Sequence, residues 1–415
     1  MGTVVDRISS IPTFRSLRHR NYRLFFTGQL FSLIGSWMQI MGQQWLVYQL
    51  TRSSAWLGAI GFFQNIPVVF FSLYAGSLAD RMSKRNLVII TQILSLGQAV
   101  LIAGLLYLNV ITVEVLAVLA VLLGIINAFD IPIRQSFIVE LVGKENLTNA
   151  IALNSATFNM ARIIGPAIGG IVISAFGLEW CFIFNAISFL AVIVSLYQMK
   201  IVEVKKEQTG KINVLASLKE SMRYIRSETV LVALLTLVAI MTLFGWSYSV
   251  LLPVFAEEVL KIGAVGLGNL LTAVGIGAFI SAVAVATFEG RIQARTFIYT
   301  GVIVFVISVS IFALSYNVSL SVMSLVGVGM GLVAFFATAN ASIQKRVPDH
   351  LRGRVMGLYS LIFQGSFPFG SLLIGVIAEG LGVRGAILIG AIFCGISGIV
   401  VYSFMENVRK KSRKM

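Results

Sequence analysis

Apolar residues in this chain fall into long runs, not into the alternation of a half-buried strand or the single stripe of a surface helix. A helix that crosses a bilayer needs roughly 20 mostly apolar residues, because the hydrocarbon layer is about 30 Å thick and each residue rises about 1.5 Å. That ruler predicts twelve spans, near 23–48, 55–79, 87–108, 114–134, 150–174, 179–199, 229–253, 265–287, 296–316, 319–343, 355–379 and 383–405. The expected fold class is an all-α membrane protein. The first run follows Arg15, Arg18, Arg20 and Arg23. It is too long for a cleavable leader and lacks a small-residue cleavage site, so it reads as a retained span.

Composition sharpens the class. Of 415 residues, 57% are hydrophobic and 12% charged, with a mean hydropathy of +0.91. Soluble domains carry about 25% charged residues, so a soluble globular fold is excluded, and the wealth of Phe, Leu, Ile and Val excludes disorder. Cys181 and Cys394 lie in apolar runs and give neither a disulfide framework nor a metal-ligand spacing. His19 and His350 lie in basic hydrophilic stretches. A net charge of +15 would suggest nucleic acid in a soluble protein. Here, 28 of the 32 Lys and Arg occupy one alternate set of loops and the termini. The opposite loops hold only Arg52, Lys261 and Arg384, and Arg162 falls inside a span. By the positive-inside rule both termini are cytoplasmic, which requires an even number of spans. The expected setting is a bacterial inner membrane, with lipid as partner and no nucleic acid.

The longest polar interval divides the chain into a six-span bundle (1–199), a basic linker (200–228) and a second six-span bundle with a basic tail (229–415). Within the linker, Leu215, Leu218, Met222 and Ile225 stand at helical spacing, as in an interfacial amphipathic helix; a solvated tether is the alternative. The halves echo each other at an offset of about 204 residues: PIRQSFIVELVGKENLTNAIALNS after span four, NASIQKRVPDHLRGRVMGLYSL after span ten. Parallel repeats of this kind place a substrate cavity between the halves near the bilayer midplane. A monomer suffices for that arrangement.

Residues 76–85, GSLADRMSKR, join spans two and three on the side expected to be cytoplasmic. Read alone, they are a solvated charge cluster. In this position they resemble the signature loop of the major facilitator superfamily, G-x-L-x-D-R-x-G-R-K, through Gly76, Leu78, Asp80, Arg81, Lys84 and Arg85. Ser83 stands where that family has glycine. The resemblance implies a gating latch built on Asp80 and Arg81. In span five, the run from Asn159 through Arg162, Gly165, Pro166, Gly169 and Gly170 resembles the G-P-x-x-G-G motif of antiporter branches of the superfamily. Pro166 cannot donate to the Arg162 carbonyl, so the helix should bend there. The glycines clear a surface for a neighbouring backbone.

Arg162 itself lies about fourteen residues into its span, roughly 21 Å deep. An arginine there costs at least about 2.5 kcal/mol, so it should face a wet cavity or a partner. It is either a substrate or gating contact that favours anionic or electron-rich groups, or a structural anchor. Asp130 and Arg134 stand at i and i+4, on one helix face. They suit a charge network at the cytoplasmic gate with Asp80 and Arg81. The sharper alternative makes Asp130 the proton-coupling carboxylate, since in the second half Glu257, Glu258 and Glu379 lie near the outer surface. The remaining cavity candidates are Gln39, Gln43, Asn65, Phe244 and Gln364, because an amide facing lipid is costly and an aromatic–amide lining suits an amphipathic organic molecule.

The opening FRSLRHRNYRLFFTGQLFSLIGSWMQIMGQQWLVYQLTRSSAWLG, with PIRQSFIVELV and NLTNAIALNSATFNMARIIGPAIGG, is similar to the transmembrane secretion effector branch, which contains enterobactin exporters and macrolide efflux pumps. The resemblance implies a proton-driven antiporter of the multidrug or siderophore type, exporting a small molecule by alternating access. An importer on the same fold is the nearest alternative. An enzyme would need a clustered set of His, Cys or acids in the spans, and none is present. No phosphate-binding loop and no cofactor motif is found either.

Overall fold

The computed structural model describes residues 12–200 and 222–414, and among them there is no strand beyond one isolated bridge, Glu289 to Ile292. After a short 3-10 turn, Pro12–Arg18, come α1 (Arg20–Thr51), α2 (Ser54–Arg81), α3 (Lys84–Tyr107), α4 (Val113–Gly143), α5 (Glu145–Phe176) and α6 (Glu179–Tyr197). The second half gives α7 (Thr229–Val259), α8 (Gly263–Phe288), α9 (Ala294–Leu314), α10 (Val318–Arg346) and the long stretch Asp349–Lys414. That stretch breaks at Gly382 (φ 77°, ψ 158°), which separates α11 (349–381) from α12 (383–414). Gly143 (φ 68°, ψ 174°) makes the same kind of break between α4 and α5. Both lie in the left-handed region, which only glycine enters without steric cost. With these breaks, the spans number twelve among the described residues.

Several helices overrun the apolar windows. The sequence places the end of span four near 134, whereas α4 continues to Gly143 and carries Asp130, Arg134 and Glu140 on its last turns. Hydropathy finds the part of a helix that needs lipid; the backbone ladder continues past it while its own hydrogen bonds are satisfied. In the linker, 222–227 is helical and Ile225 is buried. Leu215 and Leu218 lie outside the described residues.

The chain forms two compact units. Among the described residues the first takes 12–50, 66–200 and 264–272, the second 51–65, 222–263 and 273–414. Residues 54–65, nearly half of α2, thus fall in the second unit, and 264–272, the first third of α8, in the first. The change in α2 falls between Asn65 and Ile66, next to Pro67.

In the first unit, Tyr22, Phe25, Val88, Ile133, Phe137 and Leu196 form a buried cluster, with Phe25 edge-on to Phe137 at 5.7 Å. The Pro12–Arg18 turn is fastened to the start of α5 by Ser16, whose N–H donates to Asn149 Oδ1 (2.9 Å) and whose hydroxyl donates to the Asn146 carbonyl (3.1 Å). In the second unit, α9 and α10 touch through backbone: a Cβ on Gly331 would lie 2.5 Å from Phe305 N and 2.6 Å from the Gly301 carbonyl oxygen. Helix α7 is irregular, with π turns at Met241–Trp246 and Phe255–Val259 around a 3-10 turn at Ser247–Leu251. Pro253 removes one donor from this stretch. Large apolar side chains such as Ile187, Ile399 and Met323 are exposed, as a lipid-facing surface requires.

Gly331→Val should therefore cost more than the 1–3 kcal/mol typical of overpacking, because the clash is with backbone. Fluorescence-detected size exclusion in detergent should show loss of the monodisperse peak. Gly97→Ala, where a Cβ meets nothing within 4 Å, should leave that peak unchanged.

Candidate functional site

Intramembrane polar and charged side chains are the scarce resource in this chain, and most of those described in the first unit are held by one another. Asp130, 2% exposed, is paired with Arg134 one turn later on α4. Its Oδ1 also accepts from the Thr91 hydroxyl (2.7 Å) and from Gln92 Nε2 (3.1 Å), both on α3. The carboxylate thus binds α4 to α3 through two donors, while its third, Arg134, lies on its own helix. Lys84, buried at the start of α3, is paired with Glu140 on α4. Arg85 donates to the last carbonyls of α6, Nε to Leu196 O (2.8 Å) and a terminal nitrogen to Tyr197 O (3.1 Å). A cation there also offsets the negative end of the helix dipole.

These positions give the described members of the expected latch their partners. Lys84, Arg85, Asp130 and Arg134 all spend their charge on α3, α4 and α6 within one unit. Gly76, Asp80 and Arg81 fall on the last turns of α2, and their side chains lie outside the described residues.

A second polar set sits among α1, α3 and α6. Gln39 accepts from Asn185 Nδ2 (2.7 Å) and donates to Gln98 Oε1 (3.0 Å), and Gln98 donates on to Leu119 O (3.4 Å). Gln39, expected on a cavity wall, is buried between helices with both polar ends of its amide occupied inside the bundle. Gln43, one turn on, is buried as well. Gln92, Gln98 and Asn185 escaped the sequence reading, although the argument that singled out Gln39 applies to any amide in an apolar run.

The Gly-Pro run of α5 has two working faces. A Cβ on Gly165 would lie 2.6 Å from Trp37 Cβ and 2.8 Å from Ile34 O, and one on Gly169 would meet Met38 and Met41 at 3.1 Å, so both seat α5 on α1. On the other face, Gly170 meets Ala264 O at 2.9 Å, and a Cβ on Gly268 of α8 would lie 2.5 Å from Pro166 O. Thr272 closes this contact by donating to Ile163 O (2.9 Å). Arg162 is 9% exposed and shares a face of α5 with Phe158, four residues earlier; Phe158 is edge-on to Trp37 at 5.5 Å. An aromatic pair and a buried guanidinium are thus placed along the α1–α5 junction.

In the second unit, Asn65 donates to Gly61 O (2.9 Å) within α2, and Gln364 is exposed on α11. Phe244 stacks flat on Phe393 of α12 at 4.5 Å, which makes it a packing contact of the α7 π turn. The neighbouring rings Trp246, Phe336, Phe363 and Tyr359 form a continuous aromatic cluster across α7, α10 and α11. Among the described residues no group of three His, Cys, Asp or Glu is placed to hold a metal ion.

Residues 11–414 match the transmembrane secretion effector family. The staphyloferrin A transporter of Staphylococcus aureus is 25% identical over 364 residues, covering 87% of this chain and 90% of that one. The multidrug efflux pump Tap of Mycolicibacterium fortuitum is 25% identical over 392 residues, covering 91% and 93%. Among solved structures, the nucleoside transporter NupG superposes with a TM-score of 0.75 at 15% identity over 92% of this chain and 98% of that one. A bacterial homologue of the human lysosomal transporter Spinster gives 0.73 at 14% identity, over 94% and 97%. These two likenesses carry the fold: twelve helices in two six-helix repeats. With the family match spanning nearly its whole length and its curated relatives all transporters rather than enzymes, this multi-pass membrane chain belongs to the transmembrane secretion effector family of the major facilitator superfamily.

Proposed function

We propose that this protein is a secondary-active exporter that drives an amphipathic organic molecule, of the drug or siderophore kind, out through a bacterial inner membrane in exchange for protons. Both termini are cytoplasmic in this reading, as the distribution of Lys and Arg demands. The observation that carries it is the Asp130 carboxylate, buried in α4 and held by Thr91, Gln92 and Arg134. An acid kept at such cost inside a span marks an ion pathway or a proton relay. Ionised, it neutralises Arg134 and holds α3 to α4. Protonated, it leaves the Arg134 charge uncompensated, and the balance between α3 and α4 changes. That gives the proton a way to bias the conformational cycle, since a ligand shifts an equilibrium only through a difference in affinity between its states.

Substrate contact falls to Arg162, with Trp37 and Phe158 beside its face of α5. Guanidinium and ring edges together suit a molecule that carries an anionic or electron-rich group on an apolar frame. Two relatives support the class by their names, one a staphyloferrin A transporter and the other a multidrug efflux pump. Export direction follows the second of these, the one named for efflux.

Accumulation of dyes, macrolides and a catechol siderophore, measured with and without the protein and with and without a protonophore, tests the function. The expected result is lowered accumulation that the protonophore restores. Raised accumulation of any compound would replace the exporter with an importer. Arg162→Ala should reduce apparent affinity for an anionic substrate by roughly 10- to 150-fold, the equivalent of a charge-assisted hydrogen bond of about 1.5–3 kcal/mol, with membrane abundance unchanged. Wild-type affinity would assign Arg162 to packing. In proteoliposomes, Asp130→Asn should bind substrate but lose acceleration by an imposed pH gradient; an undiminished response would remove Asp130 from the coupling step.

A further inference from the structure

At the end of the second unit that the charge distribution places outside, the start of α2 lies along α11 with almost no side chain between them. A Cβ on Gly375 would lie 2.6 Å from the Ser54 carbonyl oxygen and 2.9 Å from Gly58 Cα, and one on Gly61 would lie 3.0 Å from Ser371 Oγ. This seam ends at Glu379. Its Oε2 accepts from the Ala55 backbone N–H (3.1 Å) and from the Ser53 hydroxyl (3.1 Å), so a carboxylate on α11 caps the first turn of α2. Such a cap normally comes from the residue just before the helix. Here Ser53 does supply that oxygen, accepting from the Trp56 N–H (3.3 Å), and Glu379, more than 300 positions along the chain, adds a second acceptor at the Ala55 N–H. The negative charge also sits at the positive end of the α2 dipole. Alongside, Arg52, in the left-handed region (φ 51°), pairs with Glu257 at the end of α7 (3.6 Å).

The corresponding seam of the first unit, α5 against α8, has the same glycine packing but closes on a neutral hydroxyl, Thr272 to Ile163 O. Of these two seams, α2–α11 is the one described as ending on an ionisable side chain. Any movement that exposes Ser371, fully buried now, must first part Gly58 from Gly375 and release this cap.

We propose that Glu379 is the positioning residue that locks the outer end of α2 onto α11, acting as a trans-supplied helix cap that has to let go for the seam to open. The placement of this end on the outside rests on the orientation proposed above; the lock itself depends on neither substrate nor direction of transport.

The test is the labelling rate of Ser371→Cys by a membrane-impermeant maleimide, in intact and in permeabilised cells; the native Cys181 and Cys394 are both buried. Glu379→Ala removes both hydrogen bonds and should speed labelling about tenfold. Glu379→Gln keeps an acceptor without the charge and should fall between, and it serves if Glu379→Ala does not reach the membrane. Faster labelling in intact cells supports the lock and its placement. Faster labelling only after permeabilisation supports the lock and overturns the orientation. Equal rates for all forms under both conditions overturn the lock.

Discussion

A peptide group inside hydrocarbon has no water to bond, and this one constraint explains more of the structure than any side chain does. It makes every described span a helix. It also governs where regular helix fails. Around the π turn Met241–Trp246 of α7, glycines bring neighbouring helices directly onto backbone: Gly370 meets the Leu243 carbonyl, and a Cβ on Gly390 would lie 2.8 Å from Phe244 O. At helix ends the same demand recruits cations. Arg85 covers the last carbonyls of α6, and Arg384 donates to Ser315 O (2.9 Å) just past α9 while lying over the Tyr316 ring. Two of the most conspicuous charges in the sequence are thereby spent on closing helices.

Side chains obey the rule at one remove. A buried amide or charge in a span must find its partner within the protein, and the first unit answers with the chain Asn185–Gln39–Gln98 and the knot at Asp130. The two differ in kind. The amide chain is neutral, bonded at both ends and indifferent to protons. The knot contains one acid and one base, so a single proton changes its charge. The proposed function places stability and coupling in different polar clusters of one bundle.

Span number and fold class were legible because hydropathy reports the physical requirement of the bilayer directly. The break at Gly382 falls in the gap between the spans expected at 355–379 and 383–405, although α11 and α12 are separated by one left-handed glycine and no polar loop. The glycine faces of α5 were legible in outline through Gly165, Gly169 and Gly170, because absence of a side chain has only a few structural uses. The roles of the charges were not. Lys84 and Arg85 sit in a signature loop, yet their partners, Glu140 and the end of α6, lie roughly 55 and 110 residues away, a pairing that no local pattern encodes. Glu379 was set aside as an outer-surface acid for the same reason. Gln39 was found for the right cause, the expense of a membrane amide, but that expense says only that a partner exists and not whether the partner is substrate or protein.

The irregular turns of α7 bear on how its surface is to be understood. Each π turn admits one residue more than an α turn would, which rotates everything beyond it by about 100° around the helix axis. Leu260 N–H reaches back to Phe255 O (3.0 Å), five residues away, so the slip is written into the bonding. A face traced from Thr229 at a constant 3.6-residue period therefore runs out of phase after Met241, and again after Phe255. Side chains that a helical wheel would assign to lipid beyond those points can belong to the interior. The stretches before, between and after the two π turns thus keep separate phases along one span.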